Sequence, residues 1–505
     1  MSAQLLSSAG SRTPPQPSRR YSPALWHGEP VRFSWLARSG GTPGCTTADR
    51  LDPFWGGMWA CGSSALWVSR QLAETRAASG LARIPARLDM PAQQAADLVA
   101  SGKHFGPAMA ALGALDQWRT LSAEQMAALT GWPVLGRRDP AVLVALFRLG
   151  VIDRGTFAAG LLPGASSDRA TLYRPSRSDA FDERIAPLLS LEQKVAVSGG
   201  MPWDYRRQFD RHNLLSAELG LRVSEFCEVG TVLGEKLSDV SLMLGGAPSG
   251  GGHSADLTIV RADGLRIAVE LTASAGPDFR AKVRRWAQLL ESRSLASSGL
   301  MVLFVEAAPF DGATRWGRSG STRSSVYKAV REVVREFPGS GADRVAERVG
   351  VVSWAQWFPG PGMATREFTV LEVDRPTGSA NDLWQRTGLL DVVDVPFAAH
   401  DPAAMTAVID NASLLLGTPH WLRRGRRPWL WSKLVQDAGW GSDLPVPPPA
   451  RAERFVGREP GGWRGQMSEA RLPARMRADL ADPPASIVRA GSELATMGRP
   501  APSGW

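Results

Sequence analysis

Apolar residues along this chain change their spacing several times, and each change predicts a different kind of element. Residues 51–78 are dense in apolar and aromatic side chains (Phe54, Trp55, Trp59, Leu66, Trp67) before turning helical in pattern, and they are expected to pack onto the first folded domain. Met109, Leu112 and Leu115 recur every three positions, which predicts a helix over 105–118. Ser122 as N-cap with Gln125 three residues on forms a capping box, so a second helix opens there and ends at Gly131-Trp132-Pro133. Asp139 as N-cap and Pro140 at the first helical position open a third, whose apolar face carries Val142, Leu143, Leu146 and Leu149. Gly150 closes it, and short strands are expected at 151–153 and 171–174, separated by a Gly/Pro/Ser-containing loop.

Further on, the period drops to two. Leu257 and Ile259, then Ile267, Val269 and Leu271, alternate with polar positions as half-buried strands do. Asp263-Gly264 between them is a hairpin signal, because glycine accepts the positive φ such turns demand. Folding about that turn brings Asp256 opposite Glu270. A helix is expected from Phe209 and strands at 229–233 and 237–244, leading to a Gly-rich loop at 245–252. The continuous apolar run 300–305 reads as a buried parallel strand. An amphipathic helix over 323–337, a strand at 349–353, another at 368–373 and a helix at 402–416 complete the pattern.

Three short helices followed by two strands and a loop follow the winged helix-turn-helix plan, in which the third helix lies in a major groove and the loop is the wing. A three-helix module that binds protein, or a second copy of the chain, is the other reading. The expected fold class is α/β overall: a winged helix, then a mixed-sheet PD-(D/E)xK-like domain, then an irregular C-terminal extension. The boundaries are a disordered lead at 1–50, a packing segment at 51–92, the winged helix at 93–177, a connector at 178–208, the α/β domain at 209–358, the extension at 359–441, and a Pro/Arg-rich tail at 442–505.

At 505 residues, with 44% hydrophobic and 21% charged, the chain is long enough for several domains and globular in composition. Its net charge of +9 favours an acidic partner, nucleic acid first. The cations are mostly Arg, which suits bidentate phosphate contacts and equally suits a GC-rich genome. Cys45, Cys61 and Cys227 have no CxxC spacing, so neither a disulfide framework nor a zinc site is expected, which fits the cytoplasm. Neither a transmembrane run nor a signal peptide is found in the sequence, so no membrane partner is expected.

The candidate chemistry follows from two acids that must share one small volume. Cleaving a phosphodiester calls for a divalent ion, and Mg²⁺ takes one or two carboxylates plus waters. Asp256 and Glu270 are the candidate metal ligands, Lys282 the candidate for orienting the water, and Glu218, on the preceding helix, a candidate to complete the set. The order Glu, Asp, Glu, Lys is that of a PD-(D/E)xK-type nuclease, with one departure: Thr272 stands two residues after Glu270, where Lys is expected. Acids at strand ends beside a basic helix are also ordinary surface features, and that reading stays open.

Candidate DNA contacts are Arg137 and Arg138 before the third helix, Arg148 near its end, and Arg169 and Arg174 flanking the wing. Residues 421–433 interleave cations with indoles. There Arg423, Arg424, Arg426 and Arg427 could grip phosphate while Trp rings stack on bases, or the Trp residues could be core beneath an Arg-rich surface.

The run 211–222 (RHNLLSAELGLR), with 253–256 (HSAD), 267–272 (IAVELT) and 282–286 (KVRRW), resembles the replication-relaxation family of actinobacterial plasmids, phages and integrative elements. The resemblance covers roughly 105–310. It implies a winged helix joined to a nuclease-like fold, with double-stranded DNA and replication or mobilisation proteins as partners. By position it makes Asp256, Glu270 and Lys282 the nuclease-like residues, and Glu218 and His212 a pair on the helix. It leaves three functions open: DNA binding in replication, relaxation or mobilisation; Mg-dependent cleavage or nicking; and a non-catalytic scaffold.

Overall fold

The strands run in chain order as β1 (Val31–Arg32), β2 (Ser64–Val68), β3 (Leu121–Ser122), β4 (Ile152–Ala158), β5 (Thr171–Pro175), β6 (Thr231–Gly234), β7 (Leu257–Val260), β8 (Arg266–Thr272), β9 (Leu300–Glu306), β10 (Val349–Ser353), β11 (Met363–Ala364), β12 (Glu372–Thr377) and β13 (Leu383–Gly388). The helices that carry the argument are α1 (Phe105–Trp118), α2 (Ala123–Thr130), α3 (Ala141–Arg148), α4 (Asp210–Phe226), α5 (Pro277–Ser292), α6 (Gly317–Glu336) and α7 (Pro402–Ala412). This computed structural model describes residues 31–32, 47, 50–59, 63–158 except 101, 170–308 except 206–207 and 245–252, and 317–423 except 342.

The chain is α/β, and its main sheet is mixed. Strand order is β13-β12-β10-β9-β8-β7-β6. The three central strands β8, β9 and β10 are parallel, while β6 and β7 on one side and β12 and β13 on the other are antiparallel. Because side chains alternate across a strand, the sheet has two apolar faces. Ile267, Val269, Leu271, Leu303 and Val305 join α4 in one core. Ala268, Val302, Phe304 and Val351 join Phe279, Val283 and Trp286 of α5 and Val330 and Val333 of α6 in another.

The hairpin expected at Asp263-Gly264 forms between β7 and β8. Gly264 has φ +94, and a Cβ there would meet the backbone of Met405 on α7 at 2.6 Å, so both the turn and the close packing of α7 require glycine.

The N-terminal half places α1, β3, α2, α3, β4 and β5 in that order, with a second sheet of order β2-β4-β5-β3. The 51–78 segment thus contributes a strand that pairs with β4. It also reaches the main sheet: the Trp55 indole donates to the Phe358 carbonyl at 3.2 Å, and that of Trp59 to the Ala307 carbonyl. The two halves share one continuous core. Trp118, at the end of α1, lies so close to α4 that a Cβ on Gly220 would sit 2.4 Å from its ring, and its indole donates to the Gly417 carbonyl at 2.8 Å.

Several local expectations are corrected. Residues 237–244 are not a strand; a 3-10 turn over Glu235–Ser238 and a short helix over Val240–Met243 take their place. The strand expected at 368–373 starts later, at Glu372, after a 3-10 turn over Glu367–Val370. Asp139 does not cap α3: Pro140 is the N-cap, and Asp139, at φ +50, is bound instead by Arg154 at 2.6 Å and Arg87 at 2.7 Å. Among the described residues no helix is long and apolar enough to cross a membrane.

Candidate functional site

Leu257 pairs with Val269, and one step further along that register Asp256 faces Glu270. The pairing is closed by backbone: Asp256 N–H donates to the Val269 carbonyl at 3.0 Å, and Leu271 N–H donates to Asp256 Oδ2 at 2.6 Å. Both acids have the parity that faces α5. The period of α5 buries Phe279, Val283, Trp286, Ala287 and Leu290 and leaves Lys282 beside that stripe. Lys282 Nζ therefore reaches Glu270 Oε2 at 2.7 Å, and the Trp286 indole donates to Glu270 Oε1 at 2.8 Å. The His253 ring lies 4.1 Å from that of Trp286, centroid to centroid. Thr272 supplies no cation: its hydroxyl donates to the Ser274 carbonyl, and the ammonium beside Glu270 comes from Lys282 on α5.

Burial, and then the charge of Asp256, push the Glu270 carboxyl up to about 7 against the pull of Lys282 and Trp286. Burial works to lower the Lys282 ammonium, but Glu270 and Asp256 outweigh it and hold its pKa above the ordinary lysine value. Lys282 therefore stays charged and acts as the counter-ion of the acid pair. His212, in the first turn of α4, packs edge-to-face on Trp59 with centroids 5.0 Å apart. Burial, together with Lys282 and Arg211 and against Asp256, holds it below the ordinary histidine value.

Glu218 does not join this cluster. It belongs to α4, whose core lies on the opposite face of the sheet. There it accepts from Arg50 at 3.1 Å, Arg222 at 3.0 Å and Gln125 at 3.3 Å. Arg50 also bonds Glu225 at 3.0 Å, and Arg222 bonds Asp52 at 2.8 Å. Burial alone would raise the Glu218 carboxyl, but Arg50 and Arg222 bring it below the ordinary range. Glu225 is pushed up to about 6 by burial, with the Glu218 charge adding to the rise against the pull of Arg50 and Arg222. Sequence reading missed this network, because Arg50 sits at the end of a Ser/Pro/Arg-rich lead that gives no sign of a buried anchor.

The DNA-contact candidates divide. Arg137 and Arg138 are exposed. Arg148 is spent on the Met90 carbonyl at 2.8 Å and Glu74 at 2.7 Å. Arg174 lies over the Trp67 ring at 4.2 Å and bonds Asp153 at 3.2 Å. Arg423 is buried and donates to the Thr418 carbonyl. Arg169, Arg424, Arg426 and Arg427, and with them most of the 421–433 segment, lie outside the described residues. So do the tail at 442–505 and the 245–252 loop. The groove-inserting role expected of α3 meets an obstacle: residues 142–147 are all buried, with the Ala92–Ala100 helix packed against them.

Asp256 and Glu270 together offer two carboxylates, and Mg²⁺ takes one or two beside waters and a substrate phosphate. Each Glu270 oxygen keeps a lone pair beyond the bond it accepts. Among the described residues no group of three or more His, Cys, Asp or Glu is placed to hold a metal. Compared with family models, curated proteins and solved structures, the chain matches none.

Proposed function

We propose that this chain acts on double-stranded DNA through a PD-(D/E)xK-type site, of the kind used to replicate, relax or mobilise element DNA. The observation that carries the reading is Lys282 Nζ, 2.7 Å from Glu270, with Asp256 across the hairpin on the same face. The order α4-β6-β7-β8-α5-β9, with β6 to β8 antiparallel and β9 parallel to β8, supports a PD-(D/E)xK-like core around them. The order α1-β3-α2-α3-β4-β5 supports a winged helix upstream, though one whose third helix serves as core.

On this reading Asp256 and Glu270 hold Mg²⁺, which would supply charge stabilisation and a more acidic bound water. Lys282 keeps the acid pair from repelling itself and directs an ammonium to where a phosphate oxygen would lie. The Trp286 indole fixes the Glu270 rotamer, and the Leu271 amide fixes Asp256.

The test is nicking of supercoiled plasmid by the full chain with Mg²⁺. Expected is cleavage that Asp256→Asn and Glu270→Gln both abolish. Cleavage that survives both changes overturns the reading. A second reading, binding without cleavage, is favoured by the donors already engaged on both Glu270 oxygens and by Thr272. It predicts duplex binding with no nicking at any Mg²⁺ concentration.

A further inference from the structure

The cations of α5 lie on two flanks, and the structure treats the flanks differently. Toward α6, Arg280 pairs with Glu332 at 2.8 Å, and Arg284 donates to Glu336 at 3.0 Å through Nε. Those two charges are answered within the protein. On the other flank lie Lys282 and, three residues on and so on the same face, Arg285. Lys282 is taken up by Glu270. Arg285 is exposed, and among the described residues no hydrogen bond or ion pair engages it. Its charge is near enough to Lys282 to act against that ammonium. The first-turn Asp278 is the one acid of α5 on this flank, one turn before Lys282 and two before Arg285, and it is placed to answer the helix N-terminus.

An exposed guanidinium beside the Lys282 ammonium, with no acid among the described residues paired to it, adds repulsion in the free protein. What it matches is an anion arriving from solvent. A planar fork suits the two oxygens of a phosphodiester better than an ammonium would. We infer that Arg285 grips a backbone phosphate of duplex DNA beside the Asp256–Glu270 pair, setting where along the strand the acids meet it. Arg285 is then a positioning residue, and the inference rests on the DNA-acting reading given above.

The experiment is fluorescence anisotropy of a labelled duplex with the full chain, without Mg²⁺, across a salt series. Arg285→Gln and Arg284→Gln are compared: the same charge change on the same helix, on opposite flanks. Expected is weaker binding by Arg285→Gln, with the slope of log K against log salt shallower by about 0.9, one released phosphate contact. Arg284→Gln should keep the wild-type slope. Equal slopes for wild type and Arg285→Gln overturn the inference while leaving the DNA reading intact, as do equal losses in the two variants, which would mark a diffuse charge effect. A wild-type chain that binds no duplex at low salt overturns the DNA reading and the inference with it. Melting temperatures of both variants, expected unchanged for exposed side chains, separate lost contact from lost fold.

Discussion

Glu270 and Lys282 form a lopsided ion pair: across 2.7 Å, the carboxylate side chain is 1% exposed and the lysine 32%. The acid is locked in by Trp286 and by the register of β7 and β8, while the cation reaches it from the rim. The pair therefore depends on the lysine coming to the acid, and removing the lysine leaves a buried charge facing Asp256.

Lys282→Met should cost stability in a pH-dependent way. Leaving a buried acceptor without its donor costs about 1–3 kcal/mol. The loss should be largest where Glu270 is charged, above its pKa of about 7, and smaller at about pH 5, where the carboxyl is protonated and needs no counter-ion. Urea denaturation at the two pH values checks this; an equal loss at both would show that Lys282 acts by packing alone.

Glu270→Gln carries the sign in the other direction. The folded carboxyl titrates near 7 rather than at its ordinary 4.5, so its stabilising contribution is fully present below pH 4.5 and is lost as pH rises through about 7. The glutamine variant has no such loss, and its stability relative to wild type should climb between those values. It should also lose any Mg²⁺-induced rise in melting temperature. In wild type that rise should grow with pH through about 7, because protons compete with the metal for Glu270.

Arg50 and Glu218 are predicted to matter for folding and not for chemistry. Arg50→Met removes the cation between two buried glutamates, and breaking a buried pair in this way costs about 3–5 kcal/mol. Glu218→Gln should destabilise by less, because it keeps the acceptor oxygen for Arg222, and it should leave Mg²⁺ binding unchanged in a thermal-shift titration. A Glu218→Gln chain that folds normally but no longer responds to Mg²⁺ would return Glu218 to the site.

What the sequence disclosed and what it withheld divide along physical lines. The hairpin was legible because alternation and a glycine turn are local, and the register then follows by counting; Asp256 and Glu270 came with it. Lys282 was legible from its place beside a buried stripe. Glu218 was not, because a glutamate four residues before an arginine on an amphipathic helix reads the same whether it faces a metal or two guanidiniums. Arg50 was invisible because the lead around it has no pattern and its partners are about 170 residues away. Asp139 failed as a cap because two arginines from other elements bind its carboxylate, and a tertiary contact of that kind overrides a local propensity.

The same distinction sets the last prediction, which concerns how the N-terminal half would touch DNA. Helix α3 is apolar on every side between Val142 and Phe147 and is covered, so it has no polar side chain to offer base edges there. Arg137 and Arg138, exposed in the turn before it, can still meet phosphates. The double change Arg137→Gln with Arg138→Gln should weaken binding by a similar factor for every duplex sequence. The salt slope should fall by up to about 1.8, two contacts at 0.9 each, with the melting temperature unchanged. Leu146→Ala, fully buried in α3, should instead cost about 2–5 kcal/mol of stability and leave the salt slope of the folded fraction as it was. If Leu146→Ala altered sequence preference while the arginine pair altered nothing, the covering helix would have to move aside on binding, and α3 would be the reader after all.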